Sequence, residues 1–152
     1  MRSKSIIRSV YGIILSLIAI LCLSPNSLYA APKTPVQVVE IFIEGYGTAK
    51  MDQAADVTTA EFRDNKPKSV WVQETWEALN ELKYRHKDSS VIDTKVGDEK
   101  AIVVVDAKIT TVAADARQNE VYILVQQQDR WLIDELIVSD EKIQVDLDDY
   151  AL

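Results

Sequence analysis

The sequence predicts an α+β domain, with three helices first and a four-stranded antiparallel sheet after them. Three observations carry this. Apolar residues recur at helical spacing in two long stretches and one short one between residues 34 and 82. From residue 84 onward the period falls to two and the runs grow rich in Val, Ile and Thr. Short polar turns, VGDEK, AADARQN and QDR, separate those runs, so consecutive strands pair antiparallel.

Thr34 before Pro35 reads as an N-cap followed by proline at the first helical position. In PVQVVEIFIEGY, Gln37, Glu40 and Glu44 form one polar stripe, and Val36, Val39, Phe42, Ile43 and Tyr46 belong to a wide apolar arc. An arc that wide calls for cover on most sides, and Gly47 is placed to stop the helix. MDQAADV continues as a short helix from Asp52, and TTAEFR makes a further turn around residues 59–63. DNKPKSV breaks the chain, and Pro67 restarts it. Val72, Trp76 and Leu79 then recur at i, i+4 and i+7 beside Trp71, Thr75 and Leu82, giving a third helix over residues 67–82. Trp71 and Trp76 read as its packing face. The strands are YRHKDSSVIDTKV, weakly patterned, then AIVVVDAKITTV, EVYILVQQQ and WLIDELIV.

The segment before this domain has another character. Arg2, Lys4 and Arg8 precede the apolar run IILSLIAILCL, and SLYA follows Pro25. A basic start, an apolar middle and a small residue at the cut define a secretory signal peptide. The expected layout is residues 1–30 as signal peptide cleaved after Ala30, with Ala31 the alternative, residues 31–140 as domain, and 141–152 as an acidic tail. Crossing a membrane takes roughly 20 apolar residues; this run is far shorter, so no stable membrane anchor is expected after cleavage. Cys22 is the only cysteine, and it follows Leu21 where a lipidated cysteine would follow a small residue. Processing removes it, and with it disulfides, thiol chemistry and cysteine metal sites. The exported chain keeps 14 basic side chains against 24 acidic ones, a net −10. That field repels nucleic acid and anionic lipid.

The layout resembles the nuclear transport factor 2-like superfamily. A long first helix opens at TPVQVVEIF and ends near EGY, and a short helix follows with Phe62 soon after. A third helix precedes a meander whose last hairpin carries DRWLIDELIV, the tryptophan opening the final strand. The resemblance covers residues 35–140, nearly all of the expected mature chain; its motifs are diffuse, and another helix-on-sheet fold such as a cystatin-like variant is the alternative. It implies a cone: a curved sheet wrapped around the first helix, with a pocket at the wide end. Members include isomerases, dehydratases, polyketide cyclases, nuclear transport factors and exported proteins with no assigned chemistry, so fold alone does not name the function.

If Trp131 and Ile133 face the helices, alternation assigns inward positions to Val103, Val105, Ala107 and Ile109 and, on the third strand, to Val121, Ile123 and Val125. The expected pocket residues are Phe42, Tyr46, Trp76, Val105, Ile123, Trp131 and Ile133. All these strand positions are apolar, which favours an exported binding or scaffolding module for a small apolar ligand or a protein partner, with no cofactor, metal or catalytic residue. The rival is an isomerase or lyase of dehydratase or cyclase type, with Glu135 or His86 as acid–base residue beside Tyr46. Asp106 reads as a surface ion pair, and Asp134, adjacent to Glu135, is the weaker carboxylate candidate. Asp146, Asp148 and Asp149 lack the glycine turn and closing glutamate of a calcium loop. On the other face, Val104, Tyr122, Leu124 and Leu132 stand among Asp106, Lys108 and Gln126, and an apolar set of that kind suggests a homodimer contact. The competing cover for that face is the tail, through Ile143, Val145 and Leu147.

Overall fold

A computed structural model describes residues 33–139. The chain divides into two units, Met1–Ala31 and Pro32–Leu152, and every described residue belongs to the second. The signal peptide, the cut at Ala30 and the acidic tail lie outside the described residues.

Helix α1 spans Pro35–Gly45. Thr34 accepts a hydrogen bond from the Gln37 backbone N–H, and Gln37 Oε1 accepts one back from the Thr34 N–H, so the first-turn donors are satisfied reciprocally. Helix α2 covers Met51–Asp56, a 3₁₀ turn covers Glu61–Arg63, and α3 covers Lys68–Glu81. The helix ends two residues before the expected Gly47, because Tyr46 is already extended (φ −66°, ψ 123°). Both flanking glycines have a physical reason. A Cβ on Gly45 would stand 2.8 Å from the Lys50 carbonyl oxygen, so glycine lets the start of α2 fold tightly onto α1. Gly47 has φ +74°, a left-handed conformation that costs glycine little.

Strands β1 (Arg85–Val96), β2 (Lys100–Thr110), β3 (Asp115–Gln127) and β4 (Arg130–Ser139) form one antiparallel meander in the order β1-β2-β3-β4. This is the expected α+β architecture of three helices on a four-stranded sheet. Val38, Val39 and Phe42 of α1 meet Ala101, Val103, Val105 and Ala107 of β2 and Ile133 of β4 in the main core.

Two strand faces differ from expectation. Thr110 pairs with Asp115 across the β2–β3 turn, and the register runs unbroken to Val103↔Tyr122 and Ile102↔Ile123. Since Val103 faces the helices, so do Tyr122 and Leu124, both fully buried there. Val121 and Ile123 are therefore on the outer face, and Tyr122 and Leu124 are withdrawn from the expected dimer surface. A shift of one residue exchanges every side chain between the two faces. The second difference is in β4. Leu124 pairs with Ile133 but Ile123 pairs with Glu135, which leaves Asp134 as an inserted residue. On the far edge of β4, the Ile133 N–H donates to the Val57 carbonyl and the Thr59 N–H donates to the Ile133 carbonyl. Thr59 Oγ1 also donates to Asp134 Oδ1 at 2.8 Å. The loop after α2 thus holds the insertion. Beyond it Leu136, opposite Tyr122, turns inward, and Glu135 turns outward.

Candidate functional site

Three elements converge at one end of the core. The end of α1 supplies Phe42 and Tyr46, the start of β1 supplies Tyr84 and His86, and β3 supplies Gln118, Glu120 and Tyr122. Together with Leu79, Leu136 and Val138 they line an open cleft of about 260 Å³. Local geometry fixes the alignment. Arg85 Nη1 donates to the carbonyls of Gly47 and Tyr84, tying the start of β1 to the turn after α1. Tyr46 stacks on Phe42 with ring centres 4.9 Å apart and meets Tyr84 edge-on at 5.8 Å.

At the base of the cleft is Glu120, whose side chain is 1% exposed. Four contacts reach its carboxylate. His86 Nε2 lies 3.0 and 3.2 Å from its two oxygens, Gln118 Nε2 donates at 2.7 Å and the Tyr122 hydroxyl donates at 2.6 Å. Burial alone would raise the carboxyl's pKa; the bond and charge of His86, with the Tyr122 and Gln118 donors, outweigh it and hold the group below the ordinary glutamate value. Glu120 is thus a buried anion held by three donors. Burial, then the Glu120 charge, raises the phenols of Tyr46, Tyr84 and Tyr122, so all three stay protonated at neutral pH. The Tyr84 hydroxyl is 3.4 Å from His86 Nε2, and His86 Nδ1 is buried without a hydrogen-bond partner.

The expected site residues divide. Phe42 and Tyr46 line this cleft, and His86, the expected alternative acid–base residue, stands beside Tyr46 in it. Glu135 does not: it is exposed on the outer face opposite Ile123. Val105 lines a different groove, of about 250 Å³, between Val39, Ile43 and Val91. Ile133 is closed within the core, and Trp131 and Trp76 pack at its margin, Trp76 under the Arg85 guanidinium. Ile123 belongs to the opposite face, and of the expected interface residues only Val104 and Leu132 keep theirs. Asp106 forms the expected surface ion pair, with Arg117 Nη2 at 2.7 Å.

Glu120, Gln118 and Tyr84 were not among the expected site residues, and Tyr122 was expected at the outer interface, not here. The signal was in the hairpin: counting one residue per step from a four-residue turn at 111–114 places Glu120 and Tyr122 inside. Among the described residues, no helix is long and apolar enough to cross a membrane, and no group of three or more His, Cys, Asp or Glu is placed to hold a metal.

No family model matches the sequence, and no curated protein matches it. Solved structures do match in shape. A domain of unknown function with a cystatin-like fold from Nostoc punctiforme aligns with TM-score 0.55 at 13% identity, covering 77% of this chain and 86% of that one. A nuclear transport factor 2-like protein of unknown function from Pseudomonas putida aligns with TM-score 0.54 at 8% identity, covering 68% and 82%. A protein of unknown function from Mycobacterium tuberculosis aligns with TM-score 0.55 at 12% identity, covering 73% and 76%. The fold is the nuclear transport factor 2-like, cystatin-like α+β cone. At these identities the likeness speaks for the fold and for no activity.

Proposed function

We propose that this chain is an exported ligand-binding domain whose aromatic cleft takes a small, neutral, largely apolar molecule carrying one hydrogen-bond acceptor. The observation that carries the reading is the state of Glu120. Its oxygens already accept from His86, Gln118 and Tyr122, and its lowered pKa makes it a weak base. What the cleft offers a ligand is aromatic surface and the protonated hydroxyls of Tyr46 and Tyr84. Such phenols suit a ketone, ester or amide oxygen. An anionic ligand would meet the Glu120 charge, so neutrality follows from electrostatics. Export rests on the basic and apolar leader, and N-terminal sequencing of protein recovered from its host tests it: a chain starting at Ala31 supports export, and an intact Met1 overturns it.

Cyclohexanone and cyclohexane form a matched probe pair for the cleft. The ketone should bind and the hydrocarbon should bind more weakly. Tyr46→Phe should reduce ketone affinity about five-fold, the equivalent of one neutral hydrogen bond. Equal affinity for the two probes, or no loss in Tyr46→Phe, overturns the reading.

A second reading is favoured by one specific feature, the His86–Glu120 pair beside Tyr46. The Glu120 carboxylate holds Nε2, so the buried Nδ1 is the nitrogen left to act as a base, with a phenol available to polarise a carbonyl. The same ketone in deuterated buffer separates the readings. Exchange of its α-protons above the buffer rate, abolished in His86→Gln, would make the cleft an isomerase- or lyase-type site.

A further inference from the structure

On the outer face of the sheet, Ile102 and Val121 are 0% exposed and Val104 is 2% exposed. They form a second apolar cluster with Ile137, separate from the main core. Every member is a strand residue. The helices pack on the opposite face, through Val103, Val105, Tyr122 and Leu124. Strand side chains stand roughly perpendicular to their sheet, so a patch this dry needs cover from above. No described helix or loop belongs to that cluster.

We infer that residues 140–152 fold back across the outer face and cover it, making the tail an integral layer of the domain. Three observations point to this occupant. The segment starts at the border of the patch: β4 ends at Ser139, paired with Asn119, two residues beyond the Val121↔Ile137 pair. Its length suffices, since 13 extended residues reach about 43 Å, while four strands span roughly 15 Å from first to last. Its pattern fits as well. Ile143, Val145 and Leu147 alternate with Gln144, Asp146 and Asp148, so an extended run presents one apolar side to the sheet and one acidic side to water.

The covered face is then unavailable to a second copy, and the protein is a monomer as far as this surface is concerned. Methyl NOE spectra of isotopically labelled protein recovered from its host test the inference without any substitution. Cross-peaks from Ile102, Val104 or Val121 to Ile143, Val145 or Leu147 within a particle of monomer mass are expected. Replacing Ile143, Val145 and Leu147 with serine should keep the far-ultraviolet circular dichroism, raise the fluorescence of a hydrophobic dye and shift the sedimentation mass towards a dimer. Two results overturn the inference. One is a wild-type chain that is dimeric at tens of micromolar and becomes a folded monomer in Val104→Lys, which assigns the face to a second copy. The other is an absence of those cross-peaks with the Val104 methyls still shielded from water.

Discussion

Replacing Glu120 with glutamine removes a charge that the cleft is built around. The carboxylate receives three donors, from His86, Gln118 and Tyr122, all within 3.0 Å at their shortest. A glutamine can place its oxygen towards His86 and Gln118 and its amide towards the Tyr122 oxygen, so the contacts survive as neutral ones. A charge-assisted hydrogen bond is worth about 1 kcal/mol more than a neutral one, a loss of about 3 kcal/mol over three donors. Relief from burying a charge returns part of it. The return is incomplete, because the carboxyl pKa lies below its ordinary value despite burial. The net expectation is roughly 1–3 kcal/mol of destabilisation at pH 7. The pH dependence follows from that lowered pKa. A carboxylate that ionises more readily folded than unfolded stabilises fully above the unfolded value, about 4.3, and loses that contribution as pH falls through the folded value. Urea denaturation of wild type and Glu120→Gln at pH 7, 5 and 3.5 should therefore show a gap that is constant down to about pH 5 and closes below it. A variant as stable as wild type at pH 7, or a gap unchanged at pH 3.5, would refute the account of Glu120 as a stabilised buried anion.

Phe42 is 0% exposed and touches the rings of Tyr46, Phe62 and Tyr122; Phe42→Ala should cost about 3–5 kcal/mol in denaturant unfolding and abolish ketone binding. Gly47→Ala should cost at least about 1 kcal/mol through its positive φ, and, with the new Cβ 3.1 Å from Tyr84, should also perturb the near-ultraviolet signal of the cleft tyrosines. Glu135→Gln should leave stability within about 0.5 kcal/mol of wild type and leave probe binding unchanged, since the residue is exposed on the face away from the cleft; a lost affinity in this variant would return Glu135 to the site.

Much of the fold was legible because local signals agree. Thr34-Pro35, the helical spacing of Val72, Trp76 and Leu79, and the β-branched run at 101–112 each point to the element that forms. The site was legible only in part, and the reasons are geometric. β3 has apolar residues on both sides, Val121 and Ile123 against Tyr122 and Leu124, so composition could not choose its inner face and only the hairpin register could. That choice hid Glu120, which shares its face with Tyr122. In β4 the inserted Asp134 depends on hydrogen bonds that Val57 accepts and Thr59 donates, some 75 residues away in sequence. Strict alternation therefore sent Glu135 inward and Leu136 outward. His86 is flanked in sequence by Arg85, Lys87 and Asp88, yet its side chain is 7% exposed because Glu120 comes to it from another strand.

The two bonds that lock Val57 and Thr59 onto Ile133 also limit how this sheet can grow. Addition of strands from molecule to molecule needs a vacant rim at each end of every sheet. Here the β4 rim is occupied along its middle by the chain's own loop. The β1 rim is the long one, and it is irregular, with its ladder interrupted at Lys87 and again at Ile92 and with most of its residues exposed. A rim blocked at its middle leaves only short stretches for pairing, so growth through β4 is disfavoured and pairing through β1 is the easier encounter. For a chain that carries Val91, Ile92 and Val96 on its open side, that asymmetry separates a self-limiting encounter from a fibre.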